Sequence, residues 1–139
     1  MNKQNKNICI HVCDDNPVVI EKAIKITKDL LNDERLAAEI VAYEDGNQFT
    51  ERYKERKDEL LILDIDMPGK SGLDILKEFE IHCKNNRVIL LTAYDNLALQ
   101  SLMYGPFQIV RKDLMEIDLE KAIRRFLRIR NDQNAQLKI

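Results

Sequence analysis

Short apolar runs alternate along this chain with longer stretches whose apolar residues recur every three or four positions. Residues 8–13, 38–43, 60–64, 88–92 and 107–110 form the short runs, too brief for helices and suited to strands. Leu60-Leu61-Ile62-Leu63 shows no polar alternation, as expected of a strand covered on both faces. After the first run, Asn16 offers an N-cap and Pro17 a first helical residue. Ile20, Ala23, Ile24, Thr27, Leu30 and Leu31 then mark one helical stripe. Residues 46–57 predict a polar second helix anchored by Phe49 and Tyr53 alone. Ser71-Gly72-Leu73-Asp74 is a capping-box variant that opens a third helix, with Leu73, Leu76, Phe79 and Cys83 inward. Residues 95–104 predict a short helix with a poor stripe, closed by Gly105-Pro106. A last helix begins between Asp113 and Asp118 and turns Leu119, Ala122, Ile123, Phe126 and Leu127 to one side.

Five consecutive βα units with short connections imply an α/β fold: a single doubly wound (βα)5 domain whose parallel sheet is covered on both faces. The expected division is a domain over residues 7–130 and a loose polar tail, or the start of a linker, over 131–139. With 139 residues, 45% hydrophobic and 33% charged, the chain has an ordinary globular composition. A net charge of −2 gives no global attraction to nucleic acid or acidic membranes. Three cysteines without framework spacing fit free thiols in a reducing compartment. No apolar run approaches the roughly 20 residues of a membrane span. The polar first seven residues lack the apolar segment of a secretion signal, so the expected location is the cytoplasm.

The chemistry gathers at the strand ends. Asp14 and Asp15 close the first run, Asp64 the third, Thr92 the fourth, and Lys112 follows the fifth. A parallel sheet brings such ends to one edge, where open α/β folds bind ligands. Clustered carboxylates raise one another's pKa unless a cation sits among them, and an oxygen-only donor set suits Mg²⁺. A facing lysine and a hydroxyl would stabilise a phosphoryl group passing onto a carboxylate oxygen. Singly, each residue has an ordinary role: a polar residue near a helix start, a turn, a cap, or a solvated lysine. Their joint placement at four strand ends favours a site.

These residues resemble the receiver domain of two-component response regulators. The likeness rests on Asp14-Asp15, on LDIDMPGKSG around Asp64, on Leu-Thr-Ala around Thr92 and on Lys112, and it runs from about Ile8 to about Ile129. It implies a flavodoxin-like sheet of order 2-1-3-4-5. It also implies that Asp64 is the phosphoacceptor for a sensor histidine kinase, and that Asp15, Asp64 and the Asp66 backbone carbonyl hold Mg²⁺ with help from Asp14. Lys112 would pair with phosphoryl oxygens, Thr92 would turn its hydroxyl to them, and Ala93 would be the small residue leaving them accessible. Asp66 and Tyr94 would stand where members of that family tune their dephosphorylation. The output would be switched by release or by a homodimer through helix 4, strand 5 and helix 5. Two positions depart from the pattern. Asp113 stands where the family usually has a cis-proline, and Ile109 where many members have an aromatic switch residue, with Tyr104 and Phe107 nearby but unmatched. Pro-Phe-Gln-Ile-Val-Arg-Lys in strand 5 is similar to receivers joined to LytTR-type DNA-binding domains, which would reach DNA only through a segment outside this chain.

Other features carry less. Cys9, His11 and Cys13 share one strand face, but same-face neighbours lie roughly 6.5 Å apart, too far to gather around one zinc with bonds near 2.3 Å. Core packing is the expectation for both cysteines, and structural roles for His11 and His82. Arg124, Arg125, Arg128 and Arg130 make the last helix basic, by default a solvated face with acidic partners. Asp64-Ile65-Asp66 also resembles the Asp-x-Asp of haloacid-dehalogenase-type phosphatases, although those place their acidic pair after the lysine. A receiver-like docking module independent of phosphorylation is a third reading.

Overall fold

The computed structural model describes residues 8–81, 85–93 and 95–137, and leaves side chains at 80, 81, 85, 95–97 and 134–137 outside that description. The positions of His82, Cys83 and Tyr94 therefore lie outside the described residues. The strands are β1 (Ile8–Cys13), β2 (Ala38–Tyr43), β3 (Glu59–Asp64), β4 (Val88–Thr92) and β5 (Gln108–Arg111). The helices are α1 (Pro17–Asp33), α2 (Gly46–Arg52), α3 (Gly72–Ile81), α4 (Asp95–Leu102) and α5 (Met115–Leu137). All pairings are parallel, in the order β2-β1-β3-β4-β5. This is the expected doubly wound (βα)5 sheet.

Strand pleating divides the core in two. Ile8, Ile10, Val12, Leu60, Ile62, Ile89 and Leu91 face α1 and α5, against Ala23, Leu30, Leu119, Ile123 and Leu127. Leu61, Leu63, Val88 and Leu90 face the other way, against Phe49, Ile75, Leu76 and Phe79. The start signals hold as expected. Asn16 Oδ1 accepts from the Val18 N–H at 2.9 Å, and Ser71 and Asp74 exchange reciprocal bonds at 3.2 and 3.1 Å. Asn16→Ala should lower stability by about 1 kcal/mol, read from the urea midpoint at unchanged slope.

Several boundaries differ from the sequence reading: α4 ends two residues sooner than expected, at Leu102, β5 lies one residue later, at Gln108–Arg111, and three others have a clear cause. α2 ends at Arg52, because Tyr53 turns extended (φ −66°, ψ 129°) and its hydroxyl reaches Glu59. β3 begins one residue early, at Glu59, which is buried because its carboxylate is fully engaged. α5 continues to Leu137 where a loose tail from about Asn131 was expected. Arg130 is tied to Asp58 at 2.8 and 2.9 Å, and no Gly or Pro follows to stop a helix already nucleated.

His11 and both described cysteines are core residues, as expected. His11 Nδ1 lies 2.9 Å from the Tyr43 hydroxyl and Nε2 lies 3.1 Å from Glu59 Oε1. Tyr53 donates to Glu59 Oε2 at 2.6 Å and the Arg56 N–H to Oε1 at 3.0 Å. Burial pushes the Glu59 carboxyl up, but His11, Tyr53 and the Arg56 N–H outweigh it and hold the group below its ordinary value. On α5, Arg124 pairs with Glu34 and Glu120, while Arg125 stacks over Phe107 at 4.6 Å. Among the described residues, no helix is long and apolar enough to cross a membrane.

Candidate functional site

Strand register assembles the site. Cys13 pairs with Leu63, so Asp14 emerges beside Asp64; Asp64 pairs with Leu91, one residue before Thr92; and Thr92 pairs with Arg111, one before Lys112. A cleft of about 240 Å³ opens at this edge, lined in part by Asp15, Asp64, Asp66, Thr92, Ala93 and Lys112. Asp14 is fully buried behind it, Asp64 and Thr92 nearly so, whereas Asp15, Asp66 and Ala93 are exposed. Every described residue singled out from the sequence for this site is thus brought to one place.

The Lys112 ammonium lies 2.9 Å from Asp14 Oδ2 and 3.1 Å from Asp64 Oδ2. The contact to Asp14 is ionic, since Asp14 Oδ2 has no partner in hydrogen-bond geometry. Asp14 Oδ1 accepts from the Asn16 N–H at 2.8 Å, and Asp64 Oδ1 from the Asp66 N–H at 3.2 Å. Asn16 therefore has a second role that its N-cap pattern did not reveal. Burial raises the Asp64 carboxyl to about 6, with the Asp14 charge adding to it and Lys112 opposing. Burial raises Asp14 too, against the pull of Lys112. Burial would lower the Lys112 ammonium, but its two carboxylate partners more than offset this.

One ligand oxygen from each of Asp14, Asp15 and Asp64 lies within 4.8 Å of the others, the single such group among the described residues. An octahedral Mg²⁺ shell is about 4 Å across. Three carboxylates against one ammonium leave two negative charges over, the charge of one divalent cation. The residues fit Mg²⁺.

The departures at strand 5 resolve simply. The Lys112–Asp113 peptide is trans, and Lys112–Leu114 form a 3-10 turn whose first carbonyl accepts from the Met115 N–H. Asp113 turns back onto the Arg111 guanidinium at 2.8 and 3.2 Å. The loop is remodelled, yet Lys112 still reaches the site. Ile109 is half-buried against the same cluster as Ala98 and Tyr104, while Phe107 packs on the opposite face against Phe126.

Comparison with known proteins agrees with this geometry. The family model for the response regulator receiver domain matches residues 10–124, and the chain belongs to that family. It is 32% identical over 81 residues to sporulation initiation phosphotransferase F of Bacillus subtilis (strain 168), covering 57% of this chain and 64% of that protein. It is 23% identical over 117 residues to the sensory transduction protein LytT of the same organism, covering 74% of this chain and 48% of LytT. The chain thus spans less than two thirds of the length of either relative. Among solved structures, a receiver domain protein from Clostridium thermocellum superposes with TM-score 0.68 at 25% identity, over 89% of this chain and 97% of that one. The response regulator TrrA from Thermotoga maritima, solved in complex with Mg²⁺-BeF, gives TM-score 0.65 at 30% identity over 86% and 98%. Family membership supersedes the phosphatase reading of Asp64-Ile65-Asp66.

Proposed function

We propose that residues 7–130 form a signalling domain that accepts a phosphoryl group on Asp64 from the phosphohistidine of a sensor histidine kinase. The observation that carries this reading is the Lys112 ammonium set between the buried carboxylates of Asp14 and Asp64, at a cleft edged by Asp15. A carboxylate oxygen of Asp64 forms the new O–P bond as the N–P bond breaks, and the imidazole nitrogen leaves with its electron pair. Lys112 takes up charge on the phosphoryl oxygens, Thr92 presents its hydroxyl to them, and Ala93 leaves the approach open. Asp15, Asp64 and the Asp66 carbonyl, with Asp14 behind, would hold Mg²⁺, which would supply neutralising charge. The domain promotes only its own phosphorylation and dephosphorylation.

The output is a switched association. The exposed Leu99, Leu102 and Met103 support a homodimer through α4, β5 and α5. The likeness of the strand 5 sequence to receivers joined to LytTR-type DNA-binding domains supports a DNA-binding output carried outside this chain. The composition supports a cytoplasmic location.

The test is incubation with acetyl phosphate and Mg²⁺, followed by intact-mass spectrometry and peptide mapping. One Mg²⁺-dependent phosphoryl group on the peptide containing Asp64 is expected. A folded protein that takes up none, from acetyl phosphate or from a histidine kinase, would be a docking module instead. The reach of Lys112 into the site argues against that outcome.

A further inference from the structure

The loop between β3 and α3, residues 65–71, carries Asp66 over the cleft, and it does not stand alone. Its far end is pinned to its own strand: a Cβ on Gly72 would come within 2.2 Å of the Asp64 carbonyl oxygen. Its middle rests on the first turn of α2. The Gly46 N–H donates to the Pro68 carbonyl at 3.3 Å, and a Cβ on Gly46 would overlap the Lys70 carbonyl oxygen at 1.7 Å. The Asn47 side chain lies against Gly69, whose φ of +78° excludes most other residues; a Cβ there would meet Asn47 Oδ1 at 2.6 Å. Beneath these, the buried Cys13 thiol lies 3.4 Å from the Asp45 carbonyl and 3.5 Å from the Met67 sulfur. The same loop returns the Asp66 N–H to Asp64 Oδ1.

We infer that the first turn of α2, through Gly46 and Asn47, is a positioning element that sets the height of the Asp66 backbone and thereby the affinity of the acidic cluster for Mg²⁺. This rests on the reading of Asp14, Asp15, Asp64 and the Asp66 carbonyl as the metal site. Neither residue touches the cleft; both act through the loop. Groups that orient metal ligands are felt in affinity even though they bind nothing themselves. Gly46 is required because the carbonyl it faces is main chain, which cannot swing aside as a side chain could.

The experiment is a titration of the metal-free full chain with MgCl2, followed by the backbone amide resonances, for wild type, Gly46→Ala, Asn47→Ala and Arg130→Ala. Arg130 pairs with Asp58 away from the cleft, so its loss reports stability alone. Mg²⁺ affinity is expected to fall about tenfold in Gly46→Ala and about threefold in Asn47→Ala, and to stay within about twofold in Arg130→Ala. The Asp66 amide should already be displaced in metal-free Gly46→Ala. A folded Gly46→Ala protein that binds Mg²⁺ like wild type would overturn the inference. If that variant does not fold, Asn47→Ala decides on the same terms. A wild-type protein without any Mg²⁺ response would fail earlier, at the metal site itself, and would remove the basis for this inference.

Discussion

Asp64→Asn is expected to abolish phosphoryl uptake and, in EDTA, to make the protein more stable than wild type. The loss is complete because an amide offers no anionic oxygen to phosphorus. The gain follows from burial. Asp64 stands at about 6 in the folded chain against an ordinary value of 3.8, so the native state holds its proton more tightly than the unfolded state does. Stability therefore declines as the pH rises from 3.8 to about 6 and stays at the lower level above that. Such a displacement corresponds to roughly 3 kcal/mol. The protonated carboxyl and an asparagine amide are both neutral beside Lys112, whose pull is already contained in the value of about 6, so the net gain at pH 7 should be about 3 kcal/mol, or about 10 °C in Tm. The two proteins should converge below pH 4, and saturating Mg²⁺ should narrow the gap by stabilising the wild type. Thermal melts from pH 3.5 to 8, with and without Mg²⁺, check all of this. An Asn variant less stable than wild type at pH 7 would mean that the Lys112 ion pair outweighs the crowding of charge.

The same imbalance explains why the site was legible in the sequence. A polar residue that ends a fully apolar run cannot be part of the core pattern. In a parallel sheet it must appear at the ligand edge, which is where register puts Asp14, Asp64 and Thr92. The division of labour inside the Asp-Asp pair follows from the family resemblance and not from the spacing of the residues. Only packing decides that Asp14 is buried behind Lys112 while Asp15 faces solvent. The support of the Asp66 loop by α2 was hidden for a related reason. Gly46 and Asn47 read locally as a helix start, and nothing in their spacing points to residues 68–70, which they meet only once both βα units have folded. The continuation of α5 beyond Asn131 is not visible in a polar composition, which suggests fraying, whereas the Arg130–Asp58 pair and the absence of a breaker carry the helix on to Leu137.

Glu59 was the least legible residue of all, since a glutamate before an apolar run reads as loop. Its partner His11 lies 48 positions earlier, and nothing in the spacing joins the two. Glu59→Ala is expected to destabilise the domain by about 3–5 kcal/mol. It removes the acceptor for His11, Tyr53 and the Arg56 N–H together, and leaves the buried His11 and the half-buried Tyr53 hydroxyl without it. Glu59→Gln, which keeps the shape and one acceptor, should lose about half as much. The folded carboxyl lies below its ordinary value of 4.5, so its contribution is fully present above that pH and is lost as the pH falls through the folded value. The wild-type advantage over Glu59→Ala should therefore shrink in acid, the opposite sense to Asp64→Asn, whose advantage disappears there. Urea unfolding at pH 7 and in acid measures both. Glu59 begins β3 and Asp64 ends it, about 16 Å apart along an extended strand. The folded fraction of Glu59→Gln should thus accept phosphate and bind Mg²⁺ as the wild type does, and a variant that lost uptake in proportion to more than its unfolded fraction would show that the two ends of β3 are coupled.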